Sequence, residues 1–286
     1  MSGATFAALA KPALAFLSLF FLLLAFKKEN MTMALSGWLL LVSYWLIEFF
    51  ALLKVGESFD AAVAFLVLLF SALLAWHAAT CEDSSADGDD AERRRFLVLM
   101  AKVSFICGMC YFPFSEIEPL GTLLIYVNAA LAATTINFLH GIGLLSLSVR
   151  VEFPAFIHAA GMALPPIEII LACTAIQSIV IFTGIIFGVE APLNKKIKAF
   201  LVSVPVIFVL NVFRNVFVTA AYFGTWFGSA PLESFYIAHH ILARIFVLAT
   251  LIIIAYAVFV ILPETLDLVE KLLTLPLGGR RRGGVR

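Results

Sequence analysis

A thiol, two guanidiniums and an imidazole stand inside stretches of this chain that are otherwise apolar. Cys173 lies in LACTAIQS, Arg214 in VLNVFRNVF, and His240 and Arg244 in AHHILARI. An arginine at the centre of an inserted helix costs about 2.5–3.5 kcal/mol on insertion scales, so a counter-charge or a function must offset it. Cysteine attacks as its thiolate, a form that a neighbouring arginine or protonated histidine favours. Attack on a peptide carbonyl builds an oxyanion, for which a fixed guanidinium is a suitable donor. Histidine can hand a proton to the leaving amine and take one from the incoming nucleophile. The set suits acyl transfer through a thioester, on a substrate that arrives laterally from the bilayer.

Local spacing groups further residues with these. Asn211, Arg214 and Asn215 are related by i, i+3 and i+4, which places them on one helix face. Tyr236, His240 and Arg244 repeat every four residues, and Cys173 with Gln177 does the same. Polar faces of membrane helices point into the bundle or a wet cavity, so Asn211, Asn215 and Gln177 are candidates for binding substrate. The only intramembrane carboxylate near Arg214 is Glu168, which leaves room for an anionic reaction partner. Taken singly, each group has a plainer account. A lone membrane cysteine usually packs, Arg214 could snorkel or glue the bundle, and His239 and His240 could be interfacial. Cys107 and Cys110 read as packing residues, and no ligand spacing implies a metal or an organic cofactor.

The elements that must position these groups are membrane helices. The chain has 286 residues, 63% of them hydrophobic and 13% charged, against about 45–50% and 25% in soluble domains. The fold expected is an all-α, polytopic transmembrane bundle of seven to eight spans with no soluble domain, and no basic stripe suggests nucleic acid. Nothing reads as a cleaved signal peptide, and the four cysteines suggest no secreted disulfide framework. Apolar runs of about 20 residues cover 5–26, 32–53, 59–79, 96–114, 120–139, 167–189, 198–222 and 241–262. We group them as one integral-membrane domain with N-terminal helices in 1–114, catalytic helices in 120–262 and a cytoplasmic tail in 263–286.

Lysine and arginine in short loops mark the cytoplasmic side. The clusters Lys27–Lys28, Arg93–Arg95, Lys195–Lys198 and Arg280–Arg282 then all lie inside, provided that 120–139 does not cross. That run is also the most polar, with Asn128, Thr134, Thr135, Asn137 and His140. We expect it to be re-entrant or to lie along the outer interface, giving seven crossings with the N-terminus outside; the alternative is eight crossings. Helices from Ile167, Lys198 and His239 would carry Cys173 about 10 Å, Arg214 roughly 12 Å, and His240 and Arg244 within about 8 Å of the outer surface. Three helices thus bring the reactive groups to one depth.

At these residues the sequence resembles the exosortase/archaeosortase family of membrane cysteine transpeptidases, over roughly 120–262. The resemblance implies a processing enzyme in the cell membrane, with its active site facing the extracellular side. It would act on surface proteins, S-layer glycoproteins among them, whose C-terminal tail joins a short motif (Pro-Gly-Phe in one branch), a transmembrane helix and a basic end. The new C-terminus would pass to a membrane lipid. Cys173 would be the nucleophile and Arg214 the stabilising cation, with Arg244, or else His240, in the family's third position. Trp226, in the loop FGTWFGSAPLESFY, would either close over the motif or belong to an interfacial aromatic belt. The family's cysteine is often followed by a small residue and glycine; here the triplet is Cys-Thr-Ala, with Ala175. A transporter or flippase for an anionic substrate, or a non-catalytic assembly factor, would use the same polar face differently.

Overall fold

The computed structural model describes residues 3–81 and 89–274. Most of the charged loop after Cys81, and the basic tail Arg280–Arg282, lie outside the described residues. Among the described residues ten α-helices form: α1 (Gly3–Lys28), α2 (Met31–Val55), α3 (Ser58–Ala79), α4 (Asp89–Glu116), α5 (Glu118–Gly141), α6 (Ile176–Gly188), α7 (Leu193–Gly224), α8 (Pro231–Tyr236), α9 (Ala243–Ile261) and α10 (Glu264–Thr274). A π-helical segment, Ile237–Leu242, joins α8 to α9. Among the described residues seven helical stretches are long and apolar enough to cross a membrane: 10–28, 31–55, 58–79, 90–116, 118–141, 193–224 and 231–261. The polytopic helical fold expected from composition is the one observed.

The chain forms two compact units, residues 1–112 with 183–190 and 267–286, and residues 113–182 with 191–266. In the first, Trp38, Leu22 and Leu97 are fully buried and Tyr44 nearly so. Lys11 of α1 pairs with Glu48 of α2 at 2.7 Å, as charges inside a bundle must. Gly184 and Gly188 of α6 pack against Cys107 and Val103 of α4, so that an added Cβ at either glycine would collide. Both pairs are spaced i, i+4, the small-residue contact by which membrane helices approach closely. Cys107 therefore packs against a glycine.

The second unit carries a small sheet within an otherwise helical frame. Strands β1 (Val149–Glu152), β2 (Phe156–Ala159) and β3 (Ile167–Glu168) pair antiparallel in that order. Ile157 and Ile167 face each other at the β2–β3 pairing and lie in a core with Ala129, Ala132, Ala133 and Ile136 of α5 and Val216, Ala220, Tyr222 and Phe223 of α7. Asn137 of α5 pins β1 in place: its amide nitrogen donates to the Val149 carbonyl at 2.8 Å, and its oxygen accepts from the Val149 N–H at 2.9 Å.

Two expected spans are corrected. The run 120–139 is an unbroken helix of 24 residues, about 36 Å long, and not a re-entrant loop. Its polar residues have internal partners: Asn137 on β1, Asn128 next to Asn211 of α7, and the Thr135 hydroxyl donating to the Leu131 carbonyl. The run 167–189 is not one helix. It starts as β3, passes through a 3₁₀ turn at Leu171–Thr174, and becomes α6 only at Ile176. The 13 residues of α6 reach about 20 Å, short of the ~30 Å of hydrocarbon. Ala175 marks the break, with φ 58° and ψ 12° in the left-handed region. Counting depth for Cys173 along a continuous helix therefore does not apply.

Candidate active site

Cys173 sits at the third position of the 3₁₀ turn, half-buried, with its N–H bonded to the Ile170 carbonyl at 2.8 Å. Its own carbonyl is claimed by α7. The amide nitrogens of Asn211 and Asn215 both donate to it, at 2.8 and 3.0 Å. Asn211 also donates to the side-chain oxygen of Asn128 at 3.3 Å, and Asn128 donates to the Leu124 carbonyl at 2.9 Å. A buried carbonyl left without a donor costs about 1–3 kcal/mol, and in the low-dielectric interior such a network is firm only when every member is satisfied. Three asparagines from two helices thus fix the main chain of the cysteine. As the structure has them, the donors of Asn211 and Asn215 expected to meet substrate are used on Cys173 itself.

These asparagines belong to a buried stripe. Asn211, Asn215, Thr219 and Tyr222 follow at intervals of four, four and three on one face of α7, each less than 9% exposed. The Tyr222 hydroxyl donates to the Pro165 carbonyl at 3.2 Å. The chain from Pro165 to Cys173 therefore runs back along α7, tied at Tyr222 and at the asparagine pair, with Thr219 between the two ties.

Arg214 turns from this stripe toward the π-helical segment. One guanidinium nitrogen lies 3.0 Å from Nε2 of His239, and the other reaches the Asn215 side-chain oxygen at 3.4 Å. Among the described residues Arg214 forms no ion pair with a carboxylate. Guanidinium is a donor only, so Nε2 of His239 accepts and the ring hydrogen sits on Nδ1. Phe235 stacks on the His239 ring, with centroids 5.1 Å apart and planes 8° apart, which fixes its orientation. A second arginine–histidine pair follows one position on: Arg244 lies 3.1 Å from Nδ1 of His240, and Tyr236 packs on the His240 ring at 5.1 Å.

A cavity of about 30 Å³ opens beside the cysteine, lined by Ile167, Glu168, Ile169, Cys173, Asn215, Val218, Thr219, Phe235 and His239. The sequence brought His240 and Arg244 toward the thiol; the structure brings His239 instead, with Arg214 behind it and bonded to its far nitrogen. The four-residue period of Tyr236, His240 and Arg244 is real, but the π-helical turn presents the neighbouring histidine to the cavity, and such turns occur often at functional sites. Gln177 is exposed and does not line the cavity: the left-handed Ala175 interrupts the helical spacing that related it to Cys173. Trp226 packs against Phe217 at 5.9 Å, with 48% of its surface exposed, outside the cavity lining. Sequence reasoning missed Asn128 and Thr219 as members of the site. Thr219 was within reach, since it continues the 211, 215 spacing by one more turn.

In this helical membrane protein a cysteine is held by its main chain beside an arginine-bound histidine. A profile of the family described as Transmembrane exosortase (Exosortase_EpsH) matches residues 7–257, and the chain belongs to that family. It is similar to the Archaeosortase A of Haloferax volcanii, 27% identical over 208 residues, which span 65% of this chain and 69% of that protein. It is also similar to the Archaeosortase A of Natronomonas pharaonis, 30% identical over 212 residues, 65% of this chain and 64% of that protein. The chain thus spans about two thirds of the length of these relatives. No solved structure matches it.

Proposed function

We propose that this protein is a membrane-embedded cysteine transpeptidase that processes surface proteins at a C-terminal sorting signal. Cys173 is the nucleophile. Its sulfur attacks the carbonyl of the scissile peptide bond, the C–N bond breaks, and the thiol proton ends on the amine of the departing tail. The retained part of the substrate is then a thioester on Cys173. A nucleophilic group on a membrane lipid attacks that thioester, the C–S bond breaks, and the proton lost by the acceptor returns to sulfur. The substrate class is surface or S-layer proteins whose tail carries a Pro-Gly-Phe-type motif, a transmembrane helix and a basic end. Arg214 acts through His239, and we assign the family's third position to Arg244, paired with His240.

Membership of the exosortase family and the names of its archaeal relatives support this reading. The observation that carries it is the double amide bond to the Cys173 carbonyl, since a cysteine that only fills space needs no such fixture. Exit toward the exterior is supported by the charge pattern. Lys195, Lys196 and Lys198 stand at the start of α7, and Arg214 lies 16 residues beyond Lys198, about 24 Å along the helix.

Processing of a surface protein with a Pro-Gly-Phe tail, in cells whose own enzyme is deleted, tests the assignment. Cys173→Ala should abolish conversion at normal expression, and Arg214→Leu should do the same. Conversion that survives Cys173→Ala defeats the reading, and loss with Arg214→Leu but not with Cys173→Ala points to transport of an anionic substrate.

A further inference from the structure

Two polar atoms of residues that line the Cys173 cavity have no hydrogen-bond partner among the described residues: Oγ1 of Thr219 and Nδ1 of His239, both buried at the atom. Thr219 is 1% exposed, and both residues line the cavity that Cys173 lines. A threonine inside a helix ordinarily turns its hydroxyl back onto the carbonyl four residues earlier. Thr135 and Ser203 do so here, on Leu131 and Ala199; Thr219 does not. A buried hydroxyl without a partner costs roughly 1–3 kcal/mol, and such exceptions in an otherwise satisfied interior call for an explanation.

The chemistry of the two atoms is the same. The Thr219 hydroxyl can donate. Nδ1 of His239 carries the ring hydrogen because the donor-only Arg214 occupies Nε2, so it donates as well. Residues that carry two neutral donors thus line, with Cys173, a space of about 30 Å³, enough to admit a water-sized group. A single oxygen atom fits there, while a whole peptide does not. A donor pair fixed in advance beside a nucleophile is what stabilises an acyl-transfer intermediate.

We infer that Thr219 Oγ1 and His239 Nδ1 form the oxyanion hole for acyl transfer to Cys173, the ligand being the anionic oxygen of the tetrahedral intermediate. The inference rests on the proposed transpeptidase reading and gives its Arg214–His239 pair a role: Arg214 does not meet the oxyanion but sets the tautomer of the histidine that does. When sulfur adds to the carbonyl carbon, the carbonyl π pair moves onto oxygen and is held by the two donors. It returns as the C–S bond is retained and the leaving group departs with its own pair.

The test uses the full chain in detergent and two probes of Cys173, each counted by mass on the peptide that contains it. p-Nitrophenyl acetate acylates the thiol through a tetrahedral oxyanion, releasing p-nitrophenolate and the thiol proton. Iodoacetamide alkylates it by displacement of iodide, with no oxyanion. Thr219→Val should slow acetylation about 100-fold, the effect of losing one such donor, while alkylation keeps its rate. Thr219→Ser, which restores the hydroxyl, should acetylate within about threefold of the parent. Acetylation unchanged in Thr219→Val overturns the assignment, as does a parallel fall in both reactions, which would mean a structural role. A parent protein that alkylates at Cys173 but does not acetylate there removes the acyl-transfer reading, and the oxyanion hole with it.

Discussion

At the scale of single residues the Cys173 carbonyl matters as much as the sulfur. A main-chain oxygen that accepts from two asparagine side chains holds the thiol's Cα within a narrow range, and a displacement of about 1 Å at a reacting atom can cost 100-fold in rate. Asn215→Ala should therefore slow Cys173-dependent processing roughly 10- to 100-fold. Asn215→Asp should be worse, although it is closer in shape, because it turns a carboxylate oxygen toward the carbonyl in place of an N–H donor. Processing in membranes with matched protein levels measures this; an aspartate variant as active as the parent contradicts it. The common face of Asn211, Arg214 and Asn215 was legible in the sequence, because i, i+3, i+4 spacing holds in any α-helix. That their amides would serve a carbonyl 38 and 42 residues earlier was not, since spacing says nothing about what the face meets.

At the scale of elements, the segment around Cys173 shows where reading by periodicity stops. A short apolar run such as IEIILACTAI has the composition of a buried strand and of a buried helix alike, and here it is neither throughout. The signal lay in Ala175. The resemblance leads one to expect glycine there, and the structure supplies a reason, a left-handed backbone with φ 58°. Only glycine takes that conformation without cost. Stability of position-175 variants should consequently rank glycine at or above alanine, with valine lowest, since a β-branched residue at positive φ is strained. A valine penalty of about 1–2 kcal/mol would lower the apparent Tm by several degrees. In a continuous helix the order of the first two reverses, with glycine about 1 kcal/mol below alanine. Thermal unfolding of the three variants in one detergent separates the two cases.

At the scale of the whole molecule, the residues of the candidate site fall in one of the two compact units. Asn128, Cys173, Asn211, Arg214, Asn215, Thr219 and His239 all belong to the unit of residues 113–182 and 191–266. The other unit uses its polar and small residues for packing: Lys11 with Glu48, and Gly184 and Gly188 against α4. Composition and apolar run length sufficed for a helical membrane bundle of seven to eight spans. They could not say which of these runs cross, because several of the side chains that set 120–139 apart are bonded to the protein's own groups.

Acylation of Cys173 is the event on which the rest depends, and it can be observed directly. The full chain, incubated with a synthetic segment carrying the Pro-Gly-Phe motif, a transmembrane helix and a basic end, should yield after acid quench a Cys173-containing peptide heavier by the retained acyl fragment. Neutral hydroxylamine should release that mass, as it does from thioesters, and Cys173→Ala should show none. Cleavage of the segment with Cys173 unmodified throughout, or an adduct that persists on another residue in Cys173→Ala, would contradict the mechanism.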